Sequence, residues 1–401
     1  EATQLTGKEF YLNPKEFTKL FQQVVDLITS ENNDDNYTGL SIVENIINNS
    51  KDINDINKAI VYKARLYTAL GQLNEAESLY KTLLNDDPYN DVALAYYGSY
   101  SSLIEEYKAA IEYYSKAIEL APQTAEYYYY RTSPYIQLEM YTEAEADYLK
   151  AIELDPNQED YYLGLGNLYK DGLNDPEKAI AQYIRILEFK PTRGYVYNNI
   201  GLVYEQKLEN IDKAEEYFLK AIKVDSLFSI SYRNLADLNV EKDEYLKAIE
   251  YYSKAIELDP KESVFYYLRT TPYEQLEMYA EAEADYLKAI ELNPKEEDYY
   301  LAFGNLYKDG LNEYEKGIAQ YLKILDLNPN NVVTLTNIGL TYLYDLENSI
   351  KAKEYFFKAI KVDSTYSRPY SSLAYISENK KEYKAAIEYY SKAIELAPQT
   401  A

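Results

Sequence analysis

"SISYRNLADLNVEKDEYLKAIEYYSKAIELDPKE", residues 229–262, decides the fold. Apolar residues recur every three to four positions on either side of the polar "EKDE", so the stretch reads as two amphipathic helices joined by a tight turn. Pro260 stands just past the second helix, where a residue without an amide hydrogen stops it. Prolines in the same setting recur along the chain: "NDDP" ends at Pro88, "ELAP" at Pro122, "ELDP" at Pro156, "EFKP" at Pro191, "ELNP" at Pro294, "DLNP" at Pro329 and "ELAP" at Pro398. They fall one 34- or 35-residue period apart, or two periods apart where Ser226 and Ser364 replace proline in "KVDS".

The repeated unit resembles the tetratricopeptide repeat. In that motif a small residue sits eighth, tyrosine eleventh, alanine twentieth, an aromatic twenty-fourth, alanine twenty-seventh and proline thirty-second. Residues 91–124 supply Gly98, Ala110, Tyr114, Ala117 and Pro122, and depart with Ser101 at the eleventh place. Gly166 and Tyr169, Gly201 and Tyr204, and Gly304 and Tyr307 fill the eighth and eleventh places elsewhere. Ten units are assigned, at 57–90, 91–124, 125–158, 159–193, 194–228, 229–262, 263–296, 297–331, 332–366 and 367–400. The resemblance implies an all-α, right-handed superhelical solenoid. Residues 1–56 are less regular. "PKEFTKLFQQVVDLITS" (14–30) and "YTGLSIVENIINNS" (37–50) are expected to form a divergent helix pair that caps the first unit.

A longer period overlies the first. The four units 125–262 return as 263–400, and "RTSPYIQLEMYTEAEADYLKAIEL" reappears as "RTTPYEQLEMYAEAEADYLKAIEL". "YKAAIEYYSKAIELAPQTA" occurs unchanged at 107–125 and 383–401. No further helix follows the second copy, which predicts an exposed stacking face open to a partner, to a continuation of the chain or to self-association. Pro134 and Pro272 fall in the middle of expected helices. They free the carbonyls of Tyr130 and Leu268, so a bend is expected there.

Composition removes whole classes of function. The chain has 401 residues, no cysteine, no histidine and no tryptophan, so disulfides, thiolate chemistry, imidazole bases and Cys/His metal sites are excluded. Its net charge of −26 repels phosphate backbones and acidic membrane surfaces, so no nucleic-acid partner is expected. No run of about 18 apolar residues is present, so no membrane-spanning segment is expected. The chain begins at Glu1, without methionine. Together with the absent cysteine and the acidity, this tilts the expected location toward an exported bacterial protein rather than a cytoplasmic one.

In the family that the chain resembles, ligands lie along the concave wall of successive first (A) helices, at places two, five, six, nine, twelve and thirteen. The resemblance therefore marks Tyr129, Tyr130, Asn167, Asn198, Asn199, Arg233, Asn234, Tyr267, Asn305 and Asn337 as groove residues. An asparagine amide both donates and accepts, so such residues suit the backbone of an extended peptide; tyrosine adds contact area with few rotamers to freeze. The two-carboxylate clamp of chaperone-binding relatives is not met. From residue 159 onward its places hold Leu163, Asn167, Asn199, Ile230 and Asn234, which keeps both asparagines and lacks every cation. The other groove residues lean acidic, with Asp160, Asp171, Glu205, Asp237, Glu241, Asp298 and Asp309 against Lys170, Arg233 and Lys308.

Other chemistry falls away. "KDGLND" (170–175) and "KDGLNE" (308–313) lack the ligand spacing of a calcium loop and read as Asp-Gly turns where a unit gains one residue. "EAEAD" (143–147) reads as solvated helix surface. No phosphate loop or nucleophile elbow occurs, and no metal or cofactor is expected. The function expected is a non-enzymatic scaffold that binds an extended, neutral-to-basic segment of a partner protein. The alternatives are a self-assembling or envelope-organising solenoid, or the repeat portion of a larger protein.

Overall fold

The computed structural model describes residues 20, 22–27, 32–50 and 52–397. Residues 14–19, 21 and 28–30 of the expected first cap helix lie outside the described residues. The structure is all-helical among the described residues, and its helices pack as consecutive antiparallel pairs. Contacts divide the chain into two bodies, residues 1–191 with 202–209, and residues 192–201 with 210–401.

In the first body Asn33–Asn49 packs on Ile53–Ala69, and Ile53–Ala69 on Leu73–Asp86. The pairs Asp91–Leu103 with Tyr107–Leu120, Ala125–Gln137 with Tyr141–Leu154, and Glu159–Asn167 with Pro176–Phe189 follow. Ile53–Ala69 begins four residues ahead of the expected unit boundary at 57. In the second body the pairs are Ser229–Glu241 with Tyr245–Leu258, Ser263–Gln275 with Tyr279–Leu292, Glu297–Asn305 with Tyr314–Leu327, Val332–Leu340 with Ser349–Val362, and Ser367–Asn379 with Tyr383–Leu396.

In the pairs with glycine at the eighth place, the missing side chain lets the helices approach. A Cβ on Gly166 would stand 2.5 Å from the Tyr183 ring, and one on Gly201 or Gly339 would stand 2.5 Å from Phe218 or Phe356. The second (B) helices bury a stripe at i, i+4 and i+7, as with Ala110, Tyr114 and Ala117, or Ala248, Tyr252 and Ala255.

Each A helix ends in a hydrogen-bonded Schellman turn or a close variant. The amide of Glu106 donates to the carbonyl of Ser101 (2.8 Å) and that of Glu105 to Ser102 (3.1 Å); Met140 with Tyr135 and Glu244 with Asn239 repeat the pattern. The pivot residue lies in the left-handed region, yet it is glycine only at Gly71. Elsewhere the pivot is Glu105, Glu139, Asn174, Glu209, Asp243, Glu277, Asn312, Glu347 or Lys381. In several pairs a tyrosine at the fourth place ties down the turn at the far end. The hydroxyls of Tyr128, Tyr162 and Tyr300 donate to the carbonyls of Pro122 (3.2 Å), Pro156 (3.0 Å) and Pro294 (3.1 Å).

Two expectations are corrected. The extra residue in "KDGLND" and "KDGLNE" is absorbed as a single π-turn, over Leu168–Gly172 and Leu306–Gly310, instead of an Asp-Gly turn. The left-handed residues there are Asn174 and Asn312, two positions past each glycine. A third π-turn, Thr341–Asp345, serves another 35-residue unit. At the two mid-helix prolines the helix runs on, through Pro134 to Gln137 and through Pro272 to Gln275. The hydroxyls of Thr132 and Thr270 donate to the carbonyls of Tyr129 and Tyr267 (2.7 Å each), which supports the turn that the proline ring crowds.

The second correction is that the end of "EAEAD" is not solvated. Asp147 is 5% exposed and accepts from Nε and Nη2 of the Arg131 guanidinium, at 2.8 Å each, while Nη1 donates to Ser115 (2.8 Å). Arg269, Asp285 and Ser253 repeat this contact for contact. A carboxylate placed opposite a neighbouring helix finds a forked partner there, and burial follows.

Candidate functional site: the face of the A helices

Helices Ile53–Ala69, Asp91–Leu103 and Ala125–Gln137 touch in succession in the first body, and Ser229–Glu241 touches Ser263–Gln275 in the second. The expected site residues divide into three groups. Tyr129, Tyr130 and Asn167 belong to the first body. The Tyr129 ring is half-buried, 5.0 Å from Tyr161, 6.0 Å from Tyr148 and 5.8 Å from Tyr130. Burial, with Tyr148 and Asp160 adding repulsion, pushes its phenol up to about 12. Tyr130 is 38% exposed. Asn167 is exposed, and its amide oxygen accepts from the Tyr183 hydroxyl (2.6 Å); Asn305 stands in the same relation to Tyr321 (2.6 Å) in the second body. A tyrosine that reaches up from the B helix thus fixes each amide with its nitrogen left as the donor.

Asn198 and Asn234 form the second group. They are buried, at 3% and 2% exposed. The Asn234 amide nitrogen donates to the Asn198 oxygen (2.8 Å), which also accepts from Ser231 (3.0 Å). This pair staples neighbouring A helices and does not line the open wall. The third group is half-buried: Asn199, Asn337, Tyr267 and Arg233. Tyr267 packs 4.8 Å from Tyr299, and Arg233 pairs with Asp237 (2.8 Å). Burial pushes the Asp237 carboxyl up, although the Tyr252 hydroxyl and the Arg233 guanidinium both pull it back.

The wall also holds a cavity of about 500 Å³ that crosses the first three of these helices. Arg65, Thr68, Tyr96, Ser99, Leu103 and Tyr130 line it. The Arg65 guanidinium lies over two rings, 4.2 Å from the centroid of Tyr96 and 5.3 Å from that of Tyr62, and donates to the Tyr96 hydroxyl (3.1 Å). Among the described residues no carboxylate pairs with it. Burial pushes the Tyr130 phenol up, with Tyr96 and Glu126 adding to the shift, while Arg65 draws it down. Sequence reasoning missed Arg65 and Tyr96. They stand at places nine and six of their units, which are groove places.

In the second body the same face carries Tyr344 and Tyr375, 56% and 40% exposed, their rings 5.7 Å apart. Nearby, burial raises the Asp345 carboxyl; Lys308 lowers it, and Asp309 raises it further. Asp309 is itself paired with Lys308 (2.8 Å). Among the described residues no group of three or more histidine, cysteine or acidic side chains is placed to hold a metal ion. No described helix is long and apolar enough to cross a membrane.

Models described as tetratricopeptide repeat match residues 97–124, 159–193, 273–296, 297–331, 333–366 and 367–400, and another matches 203–263; a model described as TPR repeat matches 134–171. The chain belongs to the tetratricopeptide repeat family. Proteins of this family bind protein partners, and their fold is typically a non-catalytic platform for interaction.

Among solved structures, the C-terminal part of a TPR repeat-containing protein from Cytophaga hutchinsonii is 18% identical, with a TM-score of 0.51 over 61% of this chain and 96% of that one. MamA is 31% identical over 41% of this chain and 94% of its own, with a TM-score of 0.37. YrrB, described as a TPR protein with an unusual peptide-binding site, is 23% identical over 47% of this chain and 95% of its own, at 0.39. No curated protein matches the chain.

Proposed function

We propose that this tetratricopeptide array binds an extended segment of a partner protein along the face of its A helices, and that the cavity around Arg65 is the anchor point. The observation that carries this reading is the guanidinium itself. Its faces are covered by Tyr62 and Tyr96, one donor is used on the Tyr96 hydroxyl, and no carboxylate of the described chain answers it. A planar fork held between rings, with donors to spare, fits a carboxylate brought by the ligand.

The rest of the ligand is neutral to basic. A chain of net charge −26 repels an acidic segment at long range and steers a basic one in. Exposed Asp160, in the same body as Arg65, suits a lysine or arginine side chain. The donor of Asn167 suits a backbone carbonyl.

Selection from a library of random displayed peptides tests the proposal. Enriched peptides are expected to carry one acidic residue within a basic or neutral stretch, and to lose at least tenfold in affinity against Arg65→Ala. Enrichment that survives Arg65→Ala combined with Tyr130→Ala would remove this face from the account.

A further inference from the structure

The two halves of a repeat unit have diverged unequally between internal copies, and in opposite senses at two places in the chain. In units 91–124 and 367–400 the second half is unchanged, with 107–124 matching 383–400 letter for letter. Their first halves, 91–106 and 367–382, share only Ser101 with Ser377 and Glu106 with Glu382. In units 159–193 and 297–331 the first half is the part that is kept. Residues 159–174 and 297–312 differ only at Gly164 with Ala302 and at Leu165 with Phe303, whereas ten differences separate 175–193 from 313–331. Leu165 and Phe303 are both 0% exposed. Asp160, Asn167 and Asp171 are exposed, as are their counterparts Asp298, Asn305 and Asp309, and all three are unchanged. A core residue that changes beneath an unchanged polar surface reverses the order that packing alone imposes. The local backbone does not demand these residues either. The π-turn Thr341–Asp345 forms with Leu340, Leu343 and Tyr344 at the places of Asn167, Lys170 and Asp171.

We infer that the A-helix face carries two copies of one peptide subsite, one in each body, and that both take the same basic element of a partner. Tyr129, Asp160 and Asn167 form it in the first body, and Tyr267, Asp298 and Asn305 in the second. The contacts repeat. The Tyr183 hydroxyl holds the Asn167 oxygen and the Tyr321 hydroxyl the Asn305 oxygen, at 2.6 Å each, so each amide nitrogen is left to donate to a peptide carbonyl. Asp160 precedes Tyr161, whose ring lies 5.0 Å from that of Tyr129; Asp298 precedes Tyr299, whose ring lies 4.8 Å from that of Tyr267. Asp171 and Asp309 are answered by Lys170 and Lys308, but among the described residues no cation pairs with Asp160 or Asp298. Each therefore keeps its charge for a lysine or arginine whose stem lies along the neighbouring ring. The inference rests on ligand binding along the A-helix face, but not on the Arg65 cavity.

One library of random displayed peptides, selected on two variants of the full 401-residue chain, tests the inference. Asp298→Lys with Asn305→Ala leaves the first subsite, and Asp160→Lys with Asn167→Ala leaves the second. All four residues are exposed, so the helical circular dichroism signal is expected to stay unchanged. Both selections are expected to enrich peptides that carry lysine or arginine. A fluorescent peptide from the second selection is expected to bind the variant that keeps only the first subsite within about tenfold of its own affinity, and to lose at least tenfold when all four substitutions are combined. Enrichment on the first-subsite variant alone, or second-selection peptides that the first subsite does not bind, would overturn the inference and leave the A-helix face as a ligand surface. Binding that the four combined substitutions leave intact would overturn it as well. No enrichment on either variant would overturn both the inference and the reading on which it rests.

Discussion

Arg131 reaches three helices at once: it belongs to Ala125–Gln137, forks onto Asp147 of Tyr141–Leu154 and ends on Ser115 of Tyr107–Leu120. Asp147→Ala leaves that guanidinium buried without its counter-charge and is expected to cost about 3 kcal/mol, read as a lower urea midpoint. An unchanged midpoint would mean that the bridge carries no stability. The signal for this contact was present in the sequence. Serine, arginine and aspartate stand 16 residues apart at 115, 131 and 147, and again at 253, 269 and 285. Spacing of 16 suggests no single helix face, so periodicity passed over it; only the pairing of helices brings the three together.

The tyrosines make a second expectation at this scale. Burial pushes the phenols of Tyr114 and Tyr129 up to about 12, above the ordinary value near 10. The folded state therefore favours the neutral phenol. Its contribution is complete below pH 10 and is lost as pH rises from 10 through about 12. Alkaline unfolding, followed by circular dichroism together with phenolate absorbance, is expected to be cooperative within that window. Phenolate appearing below pH 10 in step with helix loss would contradict it.

Among the elements, the helices and their proline stops follow directly from the sequence, because a 3.6-residue apolar period and a missing amide hydrogen act locally. Their pivots do not. Among the described residues six of the nine non-glycine pivots are glutamate or lysine, types that give no turn signal, and only Asn174, Asp243 and Asn312 are of a kind that tolerates the left-handed region. Glu139→Gly relieves a left-handed non-glycine residue at φ 57° and is expected to stabilise the chain by about 1 kcal/mol, the cost of that conformation less the added freedom of the unfolded chain. A lower melting temperature for Glu139→Gly would show that the glutamate side chain makes a contact worth more than the strain. The π-turns were illegible for a related reason. A unit one residue longer reads equally as a longer turn or as a wider helical coil, and the amide of Leu173 chooses the carbonyl of Leu168 (2.9 Å) only once the B helix fixes the exit.

For the molecule as a whole, the repeat made the family and the class of function readable, and left the ligand residues half readable. Place numbers taken from the resemblance find the wall, but they do not tell an asparagine that staples two helices, such as Asn198, from one held open, such as Asn167. They also gave no reason to prefer Arg65 until its missing counter-charge could be seen. With 67 acidic and 41 basic side chains, binding of a basic segment is expected to weaken as salt rises from 50 to 500 mM. Salt-independent affinity would place the contacts on apolar surface alone.

The most direct measurement is photo-crosslinking of a selected peptide to the protein. The benzophenone is placed at Leu103, on the rim of the Arg65 cavity, or at Glu119, on the exposed side of the neighbouring B helix. Capture from position 103, abolished by Arg65→Ala and absent from position 119, is the result expected. Equal capture from both positions, or capture that Arg65→Ala leaves intact, would contradict ligand binding on the A-helix face.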